Sequence, residues 1–237
     1  MNALLALTMA SSVAAAEPAR PLRYESFQEG HVYYHAVVAD LSSDLVVAEA
    51  QYAPGKKNVW KMIAEKQPAA AITGTFFGMK TGIPVADVVI DGQLVAKGHI
   101  GSAIGVDWFG KVKLFDTGYR SNIDWYGYRY LLRGAIRLIS EGKVNPNPKA
   151  QHFTDAGLWG KAPRTGVGLT QDNELVLMAT TNRVTLSQFG NSMKQLGVSD
   201  AIALDGGGST MLYYRGSLVV PPKRDLSTIF ILHERGN

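Results

Sequence analysis

Short runs of apolar and β-branched residues, each closed by a glycine turn, recur along most of this chain and commit it to a sheet-rich fold. VADVVI and QLVAK flank Asp91-Gly92, a pair that tolerates the positive φ of a tight hairpin. SAIGVDW and KVKLF flank Phe109-Gly110, and RGAIRLI turns through Glu141-Gly142 into Lys143-Val144. RTGVGLT and LVLMAT flank QDNE. HVYYHAVVADL (His31 to Leu41) and DLVVAEAQY (Asp44 to Tyr52) are expected to form an opening hairpin.

Two helices interrupt this pattern. Asn58 can cap a helix through Lys66. Thr185 and Gln188 form a capping box, which satisfies two orphan backbone donors reciprocally. Leu186, Phe189, Met193 and Leu196 then repeat at helical spacing up to Gly197, suited to a left-handed cap. That stripe is core packing, and SDAIAL (Ser199 to Leu204) is expected to pack beside it as a strand. Asn145 to Pro163 is the longest loop. No repeat or linker divides residues 17–237, which read as one α/β domain of the α+β type. Its sheet is expected to be extensive, mixed but largely antiparallel, with a few packed helices.

A chain of 237 residues, 46% hydrophobic, buries enough surface to fold without staples. The absence of cysteine excludes disulfides, a thiolate nucleophile and sulfur-ligated zinc. Against 20 Asp and Glu stand 24 Lys and Arg, a formal +4 that falls far short of a nucleic-acid-binding stripe. The first sixteen residues, MNALLALTMASSVAAA, hold a short apolar run and then small residues suited to cleavage before Glu17. They read as an export signal, giving a periplasmic or secreted product; a helical or irregular N-terminal arm is the alternative. No segment has the length of apolar sequence that an integral membrane helix requires.

Chemistry concentrates in AIALDGGGSTMLYYRG, from Ala201 to Gly216. A strand ends at Asp205, and Gly206-Gly207-Gly208 and Ser209-Thr210 follow. Three successive glycines are entropically costly, and two would suffice for a turn. The functional reading is a nest of backbone N–H groups open to an anion, with Asp205 beside it and two hydroxyl donors. The segment lacks the Gly-Lys-Ser/Thr ending of a P-loop and is not G-x-S-x-G. His31 and His35 lie in an alternating run that separates them by about 13 Å, too far to share a metal.

AITGTFF (Ala71 to Phe77), VIDGQLV (Val89 to Val95), RGAIRLISEGKV (Arg133 to Val144), APRTGVGLT (Ala162 to Thr170) and ALDGGGSTML (Ala203 to Leu212) occur in that order. In this set the chain resembles the phosphodiester glycosidase domain family, which includes bacterial exported proteins and the mammalian enzyme that uncovers mannose 6-phosphate. The resemblance spans about Val37 to Leu232. It departs at Thr73, where the family's usual stretch begins with asparagine, so substrate specificity does not carry over.

The resemblance implies hydrolysis of the glycosidic bond of a sugar-1-phosphodiester, with a phosphorylated carbohydrate as substrate. Such a site needs an N–H-rich or cationic phosphate cradle and a carboxylate near the anomeric carbon. Asp205 is the expected base or electrostatic stabiliser; the bland alternative is that it caps the glycine turn. Arg164 is the expected bidentate phosphate ligand, with Arg133 a second cation, although either arginine can instead hold a structural carboxylate. Thr73, Gly74, Thr75, Gly134, Gly206, Gly207, Gly208, Ser209 and Thr210 are expected to line the substrate site. Phe76 and Phe77 are expected in the core behind it, and Asp87, Glu141 and Asp172 are further carboxylates. No cofactor or metal site is indicated, although a divalent cation would be compatible. A glycan- or envelope-binding module on the same fold is the second reading, and a metal-assisted phosphodiesterase the third.

Overall fold

Hydrogen bonding distributes the strands over two stacked sheets. The computed structural model describes residues 21–235, so the expected export signal lies outside the described residues. The chain opens with β1 (Leu22–Glu29), β2 (Val32–Asp40), β3 (Val46–Lys57), helix α1 (Val59–Lys66) and β4 (Ala70–Thr73). Then follow β5 (Val88–Ile90), β6 (Gln93–Ala96), β7 (Ser102–Asp107), β8 (Val112–Phe115), β9 (Tyr128–Ser140) and β10 (Lys143–Val144). After the 145–161 loop come β11 (Ala162–Thr170), β12 (Glu174–Val184), α2 (Leu186–Gln195) and β13 (Val198–Ala203). Strands β14 (Leu212–Tyr214), β15 (Ser217–Val220) and β16 (Leu226–Glu234) complete the domain.

The larger sheet has 11 strands in the order β1-β2-β12-β11-β13-β9-β5-β6, with β10 and the β7–β8 hairpin joined through β9. The smaller sheet has 5 strands, β15-β14-β4-β16-β3. Its pairings and those of the large sheet are antiparallel throughout the described residues. The α+β class therefore holds, with the strands split between two layers.

Four of the five expected hairpins form: β5–β6, β7–β8, β9–β10 and β11–β12. The opening hairpin does not. Strand β2 pairs with β1 and β12, whereas β3 pairs with β16 in the other sheet. The reason is that β2 is apolar on both faces and needs cover on both. Val37 and Ala39 pack with Ala50, Ile72 and Phe230 between the sheets, and Ala36 and Val38 pack on the helix side with Phe189 and Met193. The small sheet supplies the first of these covers, with β14 lying over β2 while β3 lies over β5 and β9.

Both helices start as expected. The Asn58 side chain accepts from Trp60 N, and the Thr185–Gln188 capping box is complete. Helix α2 lays Leu186, Phe189 and Met193 against β13 and the outer face of the large sheet. Helix α1 covers the outer face of the small sheet through Val59, Met62 and Ile63. The layers are thus helix, sheet, sheet, helix. No helix among the described residues is long and apolar enough to cross a membrane.

Candidate functional site

Where β4 and β13 run out, segments from both sheets are tied together through their backbones. Asp205 N donates to Gly74 O (3.0 Å), and Leu204 N donates to Thr165 O (3.0 Å). Thr165 Oγ1 donates to Asp205 O (2.5 Å). The main chain of Asp205 is therefore clamped from both sides, which fixes the direction of its side chain. Thr73 Oγ1 donates to Ser209 O, and Thr75 Oγ1 to Arg133 O (both 2.5 Å), while Thr75 N donates to Thr228 Oγ1 (2.9 Å). Gly134 backs this brace: with φ +99°, an added Cβ would sit 2.5 Å from Thr75 Oγ1. The hydroxyls of Thr73 and Thr75 thus hold the frame of the site.

Each glycine of the triplet has its own steric reason. A Cβ on Gly206 would lie 2.6 Å from Pro163 O. Gly207 has φ +60°, the left-handed conformation that favours glycine. A Cβ on Gly208 would lie 2.2 Å from Arg224 Nη2, so the bare backbone makes room for a guanidinium. Gly207–Ser209 forms a short 3-10 turn with no side-chain cap, so Asp205 does not cap that turn in the way an isolated Asp-Gly turn suggests. Ser209 Oγ and Thr210 Oγ1 are buried and unpartnered among the described residues. Such groups are costly unless a ligand or water completes them.

Burial pushes the Asp205 carboxyl up to about 7. The nearby Ser209 hydroxyl, the positive charge of Arg224 and the Gly206 N–H oppose that rise without cancelling it. Ser209 Oγ approaches the carboxyl but falls outside hydrogen-bond geometry. A carboxyl titrating near neutrality can exchange protons with substrate or water, which an ordinary surface aspartate does poorly.

Three arginines surround this centre in different states. Arg224, on an exposed loop, has no carboxylate within 4 Å among the described residues and lies over the glycine turn. Lys223 N donates to Gly208 O (2.8 Å), which ties that loop to the turn. Arg224 also opens onto a cleft of about 360 Å³ with Lys223, Trp60 and Pro222. Arg164 is 4% exposed; its Nε donates to Val184 O (3.2 Å) and its Nη2 to the carbonyls of Leu158 and Gly160. Burial lowers its pKa to about 10, and no carboxylate among the described residues offsets the charge. Arg133 is the structural case. It is fully buried, pairs with Asp87 (2.9 Å), and donates to Thr117 Oγ1 and to the carbonyls of Gly98, Gly118 and Ser121. Its donors are spent inside the protein.

Of the remaining residues, Phe77 and the turn carboxylates fall where the sequence places them, whereas His31 lies in a turn and outside the alternating strand that holds His35. Phe77 is buried, and Phe76 packs edge-on against Phe153. Glu141 and Asp172 sit exposed in turns. His31 lies in the β1–β2 turn, and His35 Nδ1 pairs with Tyr24 Oη (2.7 Å). Among the described residues no three His, Asp or Glu side chains converge as metal ligands would. Arg224 is the residue sequence reasoning missed. Pro221-Pro222-Lys223-Arg224-Asp225 carries no motif and has the composition of a solvated turn.

A protonatable carboxyl beside a glycine turn that Arg224 overlies can serve acid–base chemistry next to an anion. The chain belongs to the phosphodiester glycosidase family, whose profile matches residues 66–233. It is 28% identical over 195 residues to the Mus musculus N-acetylglucosamine-1-phosphodiester alpha-N-acetylglucosaminidase, covering 69% of this chain and 37% of that protein. The Bos taurus counterpart is 27% identical over the same length, with 36% of it covered. The chain therefore spans little more than a third of the curated relatives it matches. In fold it is similar to the zebrafish N-acetylglucosamine-1-phosphodiester alpha-N-acetylglucosaminidase catalytic domain, auto-inhibited by its pro-peptide. That similarity has a TM-score of 0.72 at 21% identity, over 90% of this chain and 82% of the other. A hypothetical protein from Synechocystis shares the fold at a TM-score of 0.68 and 14% identity, over 90% of this chain and 61% of that one.

Proposed function

We propose that this chain is an exported hydrolase that cleaves the glycosidic bond of a sugar-1-phosphodiester in a glycoconjugate or envelope polysaccharide. The observation that carries this reading is Asp205, whose part-buried carboxyl is pushed up to about 7 beside the glycine turn and Arg224. Family membership and the names of the relatives support the same chemistry. In this reading Asp205 serves the anomeric carbon, as base for the attacking water or as stabiliser of positive charge on the sugar. The departing phosphate gathers negative charge, which Arg224 and the N–H groups of Gly207 and Gly208 meet, those of Ser209 and Thr210 being spent on Gly206 O and Gly207 O. Ser209 and Thr210 contribute the hydroxyls that have no partner among the described residues. Arg164 has no carboxylate partner among the described residues, and with Nε and Nη2 spent on carbonyls only its Nη1 is left to reach a phosphate, short of the bidentate grip expected from sequence.

Cleavage of C–O is tested by turnover in ¹⁸O-labelled water: the label is expected in the sugar. Label in the phosphate would replace this reading with a phosphodiesterase. For Arg224→Ala the expected result is a rise in KM for a charged sugar phosphodiester of about tenfold to a hundredfold, in line with one charged hydrogen-bond partner. An uncharged aryl glycoside of the same sugar should be much less affected. Equal losses on the two substrates would make Arg224 a structural residue. A binding module would turn over neither substrate.

Export is expected to proceed with cleavage before Glu17. N-terminal sequencing of the protein recovered from the envelope or medium should read Glu-Pro-Ala-Arg. Recovery of intact Met1 there would mean that no signal peptide is removed.

A further inference from the structure

A second polar cleft lies along the 116–119 segment, which Arg133 braces from within through Thr117 Oγ1 and Gly118 O. It encloses about 330 Å³ and is lined by Asp116, Tyr119, Arg137, Asn145, Asn147 and Gln151, among others. Its floor is a continuous hydrogen-bond chain. Gln151 Nε2 donates to Ser102 Oγ (2.6 Å), Ser102 Oγ to Asp116 Oδ1 (2.7 Å), and Arg137 Nε to the same carboxylate oxygen (2.7 Å). Gln151 Oε1 in turn accepts from Arg137 N (2.8 Å), so these side chains are held before any ligand arrives. Among the described residues Asp116 Oδ2, Asn147 Nδ2 and the terminal nitrogens of Arg137 make no hydrogen bond.

One wall of this cleft is aromatic. Tyr119 and His152 stack with ring centroids 3.7 Å apart. His152 has φ +65° and Arg120, next to Tyr119, has φ +56°. Neither is glycine, so both borders of the cleft are kept in a conformation that side-chain-bearing residues rarely adopt. Charge decides the kind of ligand. Arg137 faces Asp116 at 2.7 Å and Asp200 at 3.9 Å, and the Arg120 guanidinium lies 5.2 Å from the Tyr119 ring centroid, so two cations stand against two carboxylates and no excess charge is left to draw an ion. What remains is a set of fixed amide, carboxylate and guanidinium groups beside flat rings.

We infer that this cleft is a binding site for a neutral pyranose unit, separate from the Asp205 centre. Polar planar side chains meet the sugar hydroxyls in pairs, and the ring wall covers its apolar C–H face. Strand register sets the distance between the two sites. Arg137 pairs with Ile202, three residues before Asp205, or about 10 Å along the sheet. The site therefore suits a saccharide unit further along a glycan whose scissile linkage lies at Asp205, and it stands whether or not that linkage is hydrolysed.

The test is isothermal titration of the full chain with maltotriose, chitotriose and mannotriose. At least one is expected to bind, and Asn147→Ala and Tyr119→Ala should each weaken it by about tenfold, the loss of one or two sugar contacts. Tyr119→Phe, which keeps the ring, should retain binding, and Asp205→Asn should leave it within about twofold. Melting temperatures of the variants separate lost binding from lost folding. Absence of binding by all three sugars at about 20 mM would overturn the proposal. So would binding that survives both cleft variants, or binding that disappears in Asp205→Asn. Failure of hydrolysis would not alter these titrations, so the two readings fall separately.

Discussion

Asp205→Asn is expected to lower kcat/KM on a sugar-1-phosphodiester by about a hundredfold to ten-thousandfold, the usual range for a positioned acid or base. The same substitution should make the protein more stable at neutral and alkaline pH. The sign follows from the raised pKa. Burial holds the carboxyl near 7 in the folded chain, against 3.8 for the unhindered group. The folded state therefore keeps its proton to higher pH than the unfolded state does. Stability attached to this group is full below about 4 and is lost as pH rises through about 7. Every tenfold gain in proton affinity on folding is worth about 1.4 kcal/mol, so the wild type gives up an amount of order 2–4 kcal/mol across that window. Asparagine has no such titration. Thermal melts between pH 4 and 8 should show the variant gaining on the wild type as pH rises, with most of the gain complete by about pH 8. Near-wild-type turnover would remove Asp205 from the chemistry, and parallel melting profiles would remove the buried proton.

The largest stability loss is expected from Arg133→Met. Its guanidinium is fully buried and pairs with Asp87, whose side chain is 6% exposed. Removing it strands a buried carboxylate, at a cost of about 3–5 kcal/mol. The carbonyls of Gly98, Gly118 and Ser121 lose a donor as well, which loosens both segments that frame the second cleft. For a domain of this size the melting temperature should fall by roughly 6–20 °C. Adding Asp87→Leu to Arg133→Met should restore part of the loss, because the pair goes and the stranded charge goes with it. Urea denaturation of the three proteins checks this. A loss under about 1 kcal/mol for the single variant would mean that water reaches the pair.

Local elements were the legible part of the fold, because they depend on neighbours in sequence. Asp91-Gly92 fixed a hairpin through backbone conformation, and Thr185 with Gln188 fixed a helix start through reciprocal hydrogen bonds. The pairing of β2 was illegible for the opposite reason. An apolar run flanked by turns looks the same whether its neighbour in sequence lies beside it or leaves for another sheet, and only cover on both faces distinguishes them. At the site, Asp205 and the glycine triplet stood out by composition, whereas Arg224 did not. Its significance lies in a contact with Gly208, 16 positions earlier in the chain, which no local pattern encodes.

The sequence by itself determined that this chain builds a cysteine-free, glycine-turned sheet domain of the phosphodiester glycosidase family, and it marked Asp205 and the glycine triplet as the candidate site. Tertiary structure alone decided how the arginines divide. Arg133 is consumed by Asp87 in the interior, Arg164 is buried against carbonyls with no carboxylate partner among the described residues, and Arg224 lies open over the glycine turn. A guanidinium is the same group in all three places. Its role is set by which partner lies within hydrogen-bond reach and by how much water remains, and both are properties of the packed fold.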